Sequence, residues 1–117
     1  IDAIRFVKRE NIKSEKMIVV TVHRRENLNK LNTICAALQN HFQVDAVPHI
    51  ICGGFSKEDT EDALIDLNFL GIDNVMALRG DAVKTETYFT PEKEGHSYAS
   101  ELVSQISELN NAIYFDI

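Results

Sequence analysis

The sequence predicts an α/β fold built from parallel βαβ units. Two observations carry this prediction. Short runs of aliphatic and β-branched residues, each the length of a strand buried on both faces, alternate with longer segments of helical periodicity. Strand, helix and strand at this spacing require right-handed crossovers, which place the strands parallel in one sheet. The 117 residues suffice for one small domain with a modest core.

The first part of the chain predicts a short helix, a strand and a longer helix. Residues 1–9 have a helical stripe that comprises Ile1, Ile4 and Val7. The apolar, β-branched run at residues 17–22 predicts a buried strand, and a charged turn follows at residues 23–27. Helical spacing returns over residues 29–42, with an expected inner face of Leu31, Ile34, Leu38 and Phe42.

The middle of the chain predicts a second strand and a capped helix. The strand covers residues 46–52, where Pro48 favours an edge position or a strand start. Ser56 and Asp59 have the spacing of a capping box at the start of a helix, and Gly71 has the place of its C-terminal cap. The expected buried stripe of this helix comprises Thr60, Ala63, Leu64, Leu67 and Leu70.

The last part of the chain predicts a third strand, a polar connection and a final helix. The strand covers residues 75–78, and the polar connection occupies roughly residues 82–95. We expect Ser97 to cap the final helix, whose core face comprises Tyr98, Leu102, Ile106 and Leu109. Residues 112–115 predict a short extended segment.

Composition narrows the range of partners. The net charge of −6 argues against nucleic acid, which requires a clustered basic surface. No apolar run is long enough to span a membrane, and no signal peptide is recognisable. Cys35 and Cys52 lie outside any C-x-x-C motif, so we expect reduced, buried thiols in a cytoplasmic protein. No tight Cys/His cluster indicates a metal site.

In parallel sheets, ligands bind at the loops that follow the strands, and three such loops carry polar residues. Arg79-Gly80-Asp81 ends the third strand, offering a guanidinium fork, a close backbone approach and a carboxylate; the alternative is a tight turn with an exposed ion pair. His49 lies near the end of the second strand and either faces a cofactor or is a neutral core histidine.

Three further groups have two interpretations each. Gly53-Gly54 forms either a tight turn or a phosphate cradle, and the turn is favoured because no longer fingerprint surrounds the pair. Thr21 with the charged residues at 23–26 forms either an anion pocket or a solvated loop. Tyr98 and Ala99, at a helix N-terminus, either meet an anion or belong to the core.

From about residue 33 to residue 114 the sequence resembles the methylenetetrahydrofolate reductase family. The motifs that carry this resemblance, in order and at the family's spacing, are Ile34-Cys35-Ala36-Ala37, Val47-Pro48-His49, Cys52-Gly53-Gly54-Phe55, Leu70-Gly71-Ile72-Asp73-Asn74, Ala77-Leu78-Arg79-Gly80-Asp81 and Tyr98-Ala99-Ser100-Glu101-Leu102-Val103. The resemblance implies a segment of a (β/α)₈ TIM barrel, with FAD at the C-terminal ends of its strands. It also implies a flavoprotein oxidoreductase of one-carbon metabolism and methionine biosynthesis, which uses NADH or NADPH to reduce 5,10-methylenetetrahydrofolate, its folate substrate, to 5-methyltetrahydrofolate.

The resemblance also implies roles for particular residues. It implies flavin contacts for Thr21, His49, Leu78, Arg79, Gly80, Asp81, Tyr98 and Ala99. It places Asp81 beside both flavin and folate, where the carboxylate would act in catalysis. The family's first-strand acidic motif, which bears the general acid, and its strands from the fifth onward have no counterpart, so we expect a single partial barrel domain over residues 1–117 that is catalytically incomplete. Its open sheet edge would favour a homo-oligomer.

The front of the chain has a second resemblance. Residues 1–28 also resemble UDP-N-acetylglucosamine 2-epimerase. The motif that carries this resemblance is Val20-Thr21-Val22-His23-Arg24-Arg25-Glu26-Asn27-Leu28. That resemblance would assign His23, Arg24 and Glu26 to a nucleotide-sugar cleft. Two alternatives to the reductase segment therefore stay open, namely an epimerase fragment and an inactive truncated or artificial half-barrel that only folds or self-associates.

Overall fold

A computed structural model describes residues 3–4, 17–20, 28–82, 87–112 and 117. From residue 17 onward, the described strands and helices alternate as the sequence predicted. Their bounds are β1 (Ala3–Ile4), β2 (Met17–Val20), α1 (Leu28–Phe42), β3 (Asp45–Ile51), α2 (Lys57–Phe69), β4 (Met76–Leu78) and α3 (Ala99–Ala112). Among these residues, no helix is both long and apolar enough to cross a membrane.

The strands form one sheet in the order β1-β4-β3-β2. β2 and β3 are parallel, with Met17 opposite Asp45, and β3 and β4 are parallel, with Ile51 opposite Leu78. Each of these pairs is joined by a helix, α1 or α2, as parallel pairing requires. The predicted α/β class and its parallel βαβ units are therefore confirmed.

The expected helix at residues 1–9 is wrong at Ala3 and Ile4. These two residues form β1, which pairs antiparallel with the outer edge of β4, opposite Leu78 and Ala77. Two physical reasons favour the strand. A nine-residue helix is marginal in water, whereas the edge of β4 presents backbone N–H and C=O groups that an added strand can pair.

Pro48 corrects a second expectation. β3 is an interior strand, and Pro48 is buried within it rather than at an edge or a strand start. Among the described residues, pairing with β2 ends at Pro48, and pairing with β4 begins at His49.

One face of the sheet packs against the helices to form the core. Ala46, Ile50 and Ala77 point to this face and join a single buried cluster with residues of all three helices, including Leu31, Cys35, Leu64, Leu67, Leu102 and Ile106. Side chains alternate along a strand. His49, Ile51 and Leu78 therefore lie on the opposite face, away from the helices.

The buried stripe of α1 differs from the prediction. Leu31 and Cys35 are fully buried, while Ile34 is 45% and Phe42 60% exposed. In an amphipathic helix, apolar residues three or four positions after Leu31 can share its buried face. Ile34 and Cys35 are both apolar and occupy these two positions, so the sequence does not decide which of them is buried. Since neighbouring residues differ by about 100° around the helix axis, burying Cys35 turns Ile34 toward solvent.

α2 has the predicted caps at both ends. The Ser56 side chain accepts from the Asp59 amide, and the Asp59 side chain accepts from the Ser56 amide, which is a complete capping box. At the other end Gly71 has φ +75°, and the amides of Gly71 and Ile72 donate to the carbonyls of Asn68 and Leu67. These two bonds define a Schellman motif. The predicted stripe is buried except for Leu70, which lies at the cap and is exposed.

α3 begins later than expected. Its first residue is Ala99, so Ser97 precedes the N-cap position, and the amides of Ser97 and Tyr98 donate instead to the Glu101 carboxylate. Leu102 and Ile106 are buried as predicted, and Leu109 packs against the core. Tyr98 is wrong as a core residue, because it precedes the first turn and is 54% exposed. Ala112 ends α3 rather than starting an extended segment, and residues 113–116 lie outside the described part of the chain.

Candidate functional site

The C-terminal ends of β3 and β4 lie side by side and define the candidate site. Beyond the last strand pair, the Cys52 amide donates to the Leu78 carbonyl at 3.0 Å, and the Gly53 amide donates to the Arg79 carbonyl at 3.2 Å. These bonds continue the ladder past both strands. The turn after β3 and the segment after β4 are therefore held next to each other at one edge of the sheet.

His49 and Leu78 share the face of the sheet that is turned away from the helices. His49 is half-buried and lies opposite Met76, two residues before the end of β3, and Leu78 ends β4 opposite Ile51. Both side chains are therefore near the same edge and on the same side. This face is opposite to the one that carries the core cluster of the described residues.

Gly80 and Gly54 adopt backbone conformations that favour glycine. Gly80 has φ +83° and Gly54 has φ +78°. A Cβ built on Gly80 would lie 3.7 Å from Ile51 Cβ, so the segment after β4 stays close to the end of β3. Gly54 forms part of the tight turn that follows β3, as the sequence predicted.

Arg79 and Asp81 are directed to different surroundings. The guanidinium carbon of Arg79 lies 5.3 Å from the centroid of the Phe89 ring, which is a cation–π contact. The same ring packs against Gly53, where an added Cβ would lie 3.3 Å from Phe89 Cε2. Asp81 is exposed. The edge therefore offers one guanidinium held against an aromatic ring and one carboxylate open to solvent.

The segment that precedes α3 is joined to the turn after β3. The Lys57 amide donates to the Glu94 carbonyl at 3.0 Å, and Ser56 and Gly95 form an antiparallel bridge. A Cβ built on Gly95 would lie 2.5 Å from the Phe55 carbonyl oxygen, so only glycine permits this approach. Residues 92–98 are thereby fixed beside the same edge of the sheet.

Tyr98 and Ala99 stand where this segment enters α3. Ala99 is buried and Tyr98 is exposed. The Glu101 carboxylate accepts from the amides of Ser97 at 2.7 Å and Tyr98 at 3.3 Å. These backbone hydrogen bonds, that of Ser97 first, lower the pKa of Glu101 from its ordinary value. Glu101 therefore fixes the backbone from which the Tyr98 ring extends into solvent.

The two thiols belong to the core. Cys35 and Cys52 are free and buried, as predicted, and burial raises the pKa of each to about 11. A thiol with so high a pKa carries almost no thiolate near neutral pH. Cys52, although it adjoins the turn after β3, is therefore a packing residue.

Thr21, His23, Arg24 and Glu26 lie outside the described residues. Of the other residues expected at the site, the structure brings His49 together with Leu78, Arg79 and Gly80, and Asp81 follows directly. In the described part of the chain, the segment before Tyr98 and Ala99 is joined to the turn after β3. Phe89 and His96 are the residues that the sequence analysis missed. Both lie in irregular chain, where no periodicity marks them.

Two side chains near this edge carry nitrogen groups that can bind a ligand. His49 contributes an imidazole from β3, and Arg79 contributes a guanidinium directly after β4. No three His, Cys, Asp or Glu side chains cluster as a metal site would require in the described part of the chain.

A comparison with protein families matches residues 3–117 to the methylenetetrahydrofolate reductase family. The match includes the N-terminal segment for which the epimerase resemblance was noted. Among curated relatives, methylenetetrahydrofolate reductase 1 of Schizosaccharomyces pombe is 40% identical over 73 residues, which are 62% of this chain and 12% of that protein. The probable methylenetetrahydrofolate reductase (NADH) of Oryza sativa subsp. japonica is 34% identical over the same shares.

A third relative extends the match slightly. Methylenetetrahydrofolate reductase 2 of Saccharomyces cerevisiae is 30% identical over 80 residues, which are 68% of this chain and 13% of the relative. The matched segment thus spans about an eighth of the length of these curated relatives.

Proposed function

This chain belongs to the methylenetetrahydrofolate reductase family, and we propose that it supplies one side of the flavin site of such an enzyme. In the proposed whole protein the βαβ units continue into a (β/α)₈ barrel, and the reaction is the reduction of 5,10-methylenetetrahydrofolate to 5-methyltetrahydrofolate. FAD, when bound, would carry hydride between the nicotinamide and the folate. NADH as the reductant is supported by the names of the rice and Arabidopsis thaliana relatives.

One observation supports this proposal above the others. His49 and the segment Leu78–Asp81 come from adjacent parallel strands and meet at the edge where the strands end. Ligands of parallel α/β folds bind at this edge. This general position of ligands supports the proposed cofactor contacts.

Each residue in the group has a proposed part. His49 would donate or accept a hydrogen bond at the rim of the flavin ring, and the Leu78 and Gly80 backbone would approach the ring closely because Gly80 has no side chain. Arg79 would pair with an anionic part of the cofactor. Asp81, as the proposed catalytic residue, would place a negative charge where the bound folate develops positive charge.

Three residues at the margin complete the proposed contacts. Tyr98 would cover part of the cofactor with its exposed ring, and the buried Ala99 would let the start of α3 approach. Thr21, which follows β2 in the sequence, would add a hydroxyl. We also propose that the protein is cytoplasmic and that the isolated 117-residue chain forms homo-oligomers through its sheet edge, since an open edge is a template for pairing.

A flavin titration tests the proposal. FAD fluorescence is followed against the wild-type chain, Asp81→Ala and His49→Ala, with Asp62→Ala on the exposed side of α2 as the control. We expect both site variants to weaken binding and the control to leave it unchanged. Saturable FAD binding that neither site substitution alters would contradict the proposal. Saturable binding of UDP that is weakened by His23→Ala would favour the epimerase instead.

A further inference from the structure

The first turn of α3 needs a polar contact to fix its position. Leu102 and Ile106 bury the inner face of this helix in the core. Apolar packing is not directional, so it limits the rotation and axial shift of a helix less sharply than a hydrogen bond does. The proposed flavin contacts of Tyr98 and Ala99 depend on this placement, because both residues lie at the start of the helix.

A buried histidine provides such a contact. His96 is 4% exposed, and its Nε2 lies 2.6 Å from Gln105 Oε1 on α3. Gln105 Nε2 in turn donates to the Lys57 carbonyl at 2.8 Å, at the start of α2. The segment before α3, the helix itself and the first residue of α2 are therefore joined through two side chains.

The hydrogen bonds determine which nitrogen of His96 carries the proton. The Lys57 carbonyl can only accept, so the Gln105 amide nitrogen must face it and the Gln105 carbonyl oxygen must face the imidazole. An amide oxygen also only accepts, so His96 Nε2 must be the donor. In the neutral ring Nδ1 is then unprotonated, and it faces Glu101 Oε2 at 4.0 Å.

We propose that His96 is a positioning residue of the flavin site, which through Gln105 fixes Tyr98 and Ala99 beside the turn that follows β3. The proposal rests on the proposed function. His96 does not touch the proposed cofactor contacts on β3 and β4. His96 would act through Ser97 and Tyr98, which connect it to α3. The amides of these two residues also donate to the Glu101 carboxylate.

Three variants separate positioning from general stability. His96→Leu removes the donor and leaves Gln105 Oε1 without this partner, whereas His96→Gln restores an amide N–H at a similar distance. Ile106→Val is the matched control, because it removes one methylene from the same helix without touching the polar contacts. We expect His96→Leu to weaken FAD binding roughly tenfold and His96→Gln to recover most of it.

The Ile106→Val control distinguishes a positioning role of His96 from a general loss of stability. Ile106→Val is expected to lower the melting temperature while it changes the FAD dissociation constant less than about twofold, because packing alone does not set the register of the turn. If Ile106→Val weakens FAD binding as much as His96→Leu does, or if His96→Gln fails to recover it, the positioning role is refuted.

NMR of the chain without FAD tests the positioning role of His96 separately from the proposed flavin site. Nitrogen-15 NMR of the imidazole in the wild-type chain should show a proton on Nε2. The Tyr98 and Ala99 amide resonances should shift in His96→Leu and not in Ile106→Val. If the wild-type chain binds FAD too weakly to titrate, these spectra alone decide the positioning. A neutral ring whose proton is on Nδ1, or unmoved Tyr98 and Ala99 resonances in His96→Leu, would overturn it.

Discussion

Gly95 lies where two backbone segments approach too closely for any side chain. In Gly95→Ala the new Cβ would meet the Phe55 carbonyl oxygen at 2.5 Å, and backbone oxygen cannot move aside cheaply. We expect the substitution to lower the free energy of unfolding by about 1–3 kcal/mol, as overpacking does elsewhere. Urea denaturation measures the loss. Ser100→Ala, at an exposed position of α3, is the control and should change little. Equal stability of Gly95→Ala and wild type would contradict the observed approach of the two segments.

The cysteines should be unreactive in the folded protein. Burial raises the pKa of Cys35 and of Cys52 to about 11, and the thiolate is the reactive form. We therefore expect iodoacetamide at pH 8 to modify neither thiol on the timescale that modifies a free cysteine in solution. In urea both should react, which mass spectrometry would show as two added groups. Rapid modification of the native protein would mean that the core around α1 and β3 opens readily.

Glu101 should make the stability depend on pH. Its folded-state pKa lies below the usual 4.5, because the amides of Ser97 and Tyr98 donate to the carboxylate. A lowered folded pKa stabilises the fold above the unfolded pKa, and this contribution is lost as the pH falls through the folded value. Between pH 6 and roughly pH 3 the wild type should therefore lose more stability than Glu101→Gln. Thermal unfolding across this range measures the difference, and Glu108→Gln on the same helix should follow the wild type.

At the scale of the element, α2 is defined by its two ends. Ser56→Ala removes the oxygen that accepts from the Asp59 amide and should cost about 1 kcal/mol. Gly71→Ala forces a side chain into φ +75° and should cost roughly 1–2 kcal/mol, although the space around it is open. Chemical denaturation of both variants tests the two caps. The control is Asp62→Ala, at an exposed position in the middle of α2. If Gly71→Ala left the stability unchanged, the left-handed conformation at residue 71 would not favour glycine.

The elements also show which parts of the fold follow from sequence. The capping box, the Schellman glycine and the alternation of strands and helices are local, so residues such as Ser56 and Gly71 predict them directly. The inner face of α1 and the strand at Ala3–Ile4 are decided by long-range contacts. Which of Ile34 and Cys35 is buried depends on the placement of β3, and Ala3–Ile4 pair with an edge that lies far along the chain.

The candidate site divides in the same way. The meeting of His49 with Leu78–Asp81 follows from parallel topology, because adjacent strands bring their ends to one edge. The contacts of Phe89 with Arg79 and of His96 with Gln105 could not be predicted. Both partners come from irregular segments, where neither the period of a strand nor that of a helix fixes the direction of a side chain.

At the scale of the whole molecule, the proposed flavin site has only one side. The contacts proposed for Thr21, His49, Arg79 and Tyr98 all come from β2 to α3 and the segments between them. The matched segment amounts to 12% of the Schizosaccharomyces pombe relative. In a complete barrel the remaining strands would close the cofactor from the other side. We therefore expect the 117-residue chain to bind FAD weakly, if at all.

The same reasoning predicts that the purified 117-residue chain does not reduce 5,10-methylenetetrahydrofolate. The family resemblance assigns the general acid to a first-strand motif and the folate contacts to strands from the fifth onward, and neither has a counterpart in the sequence. Loss of acid–base assistance alone lowers a rate by roughly 10²–10⁴-fold. Loss of the folate contacts adds to this, because an unpositioned substrate forfeits the advantage of proximity.

Formation of 5-methyltetrahydrofolate from NADH, FAD and substrate measures the rate, with the full-length Schizosaccharomyces pombe relative as the positive control. Asp81→Ala distinguishes the two explanations of a trace signal. A residual rate that originates in this chain should fall when the proposed catalytic carboxylate is removed, whereas a rate from contaminating enzyme should not. Robust turnover by the purified chain that disappears in Asp81→Ala would contradict the prediction, and would mean that residues within these 117 supply both the proton and the folate contacts.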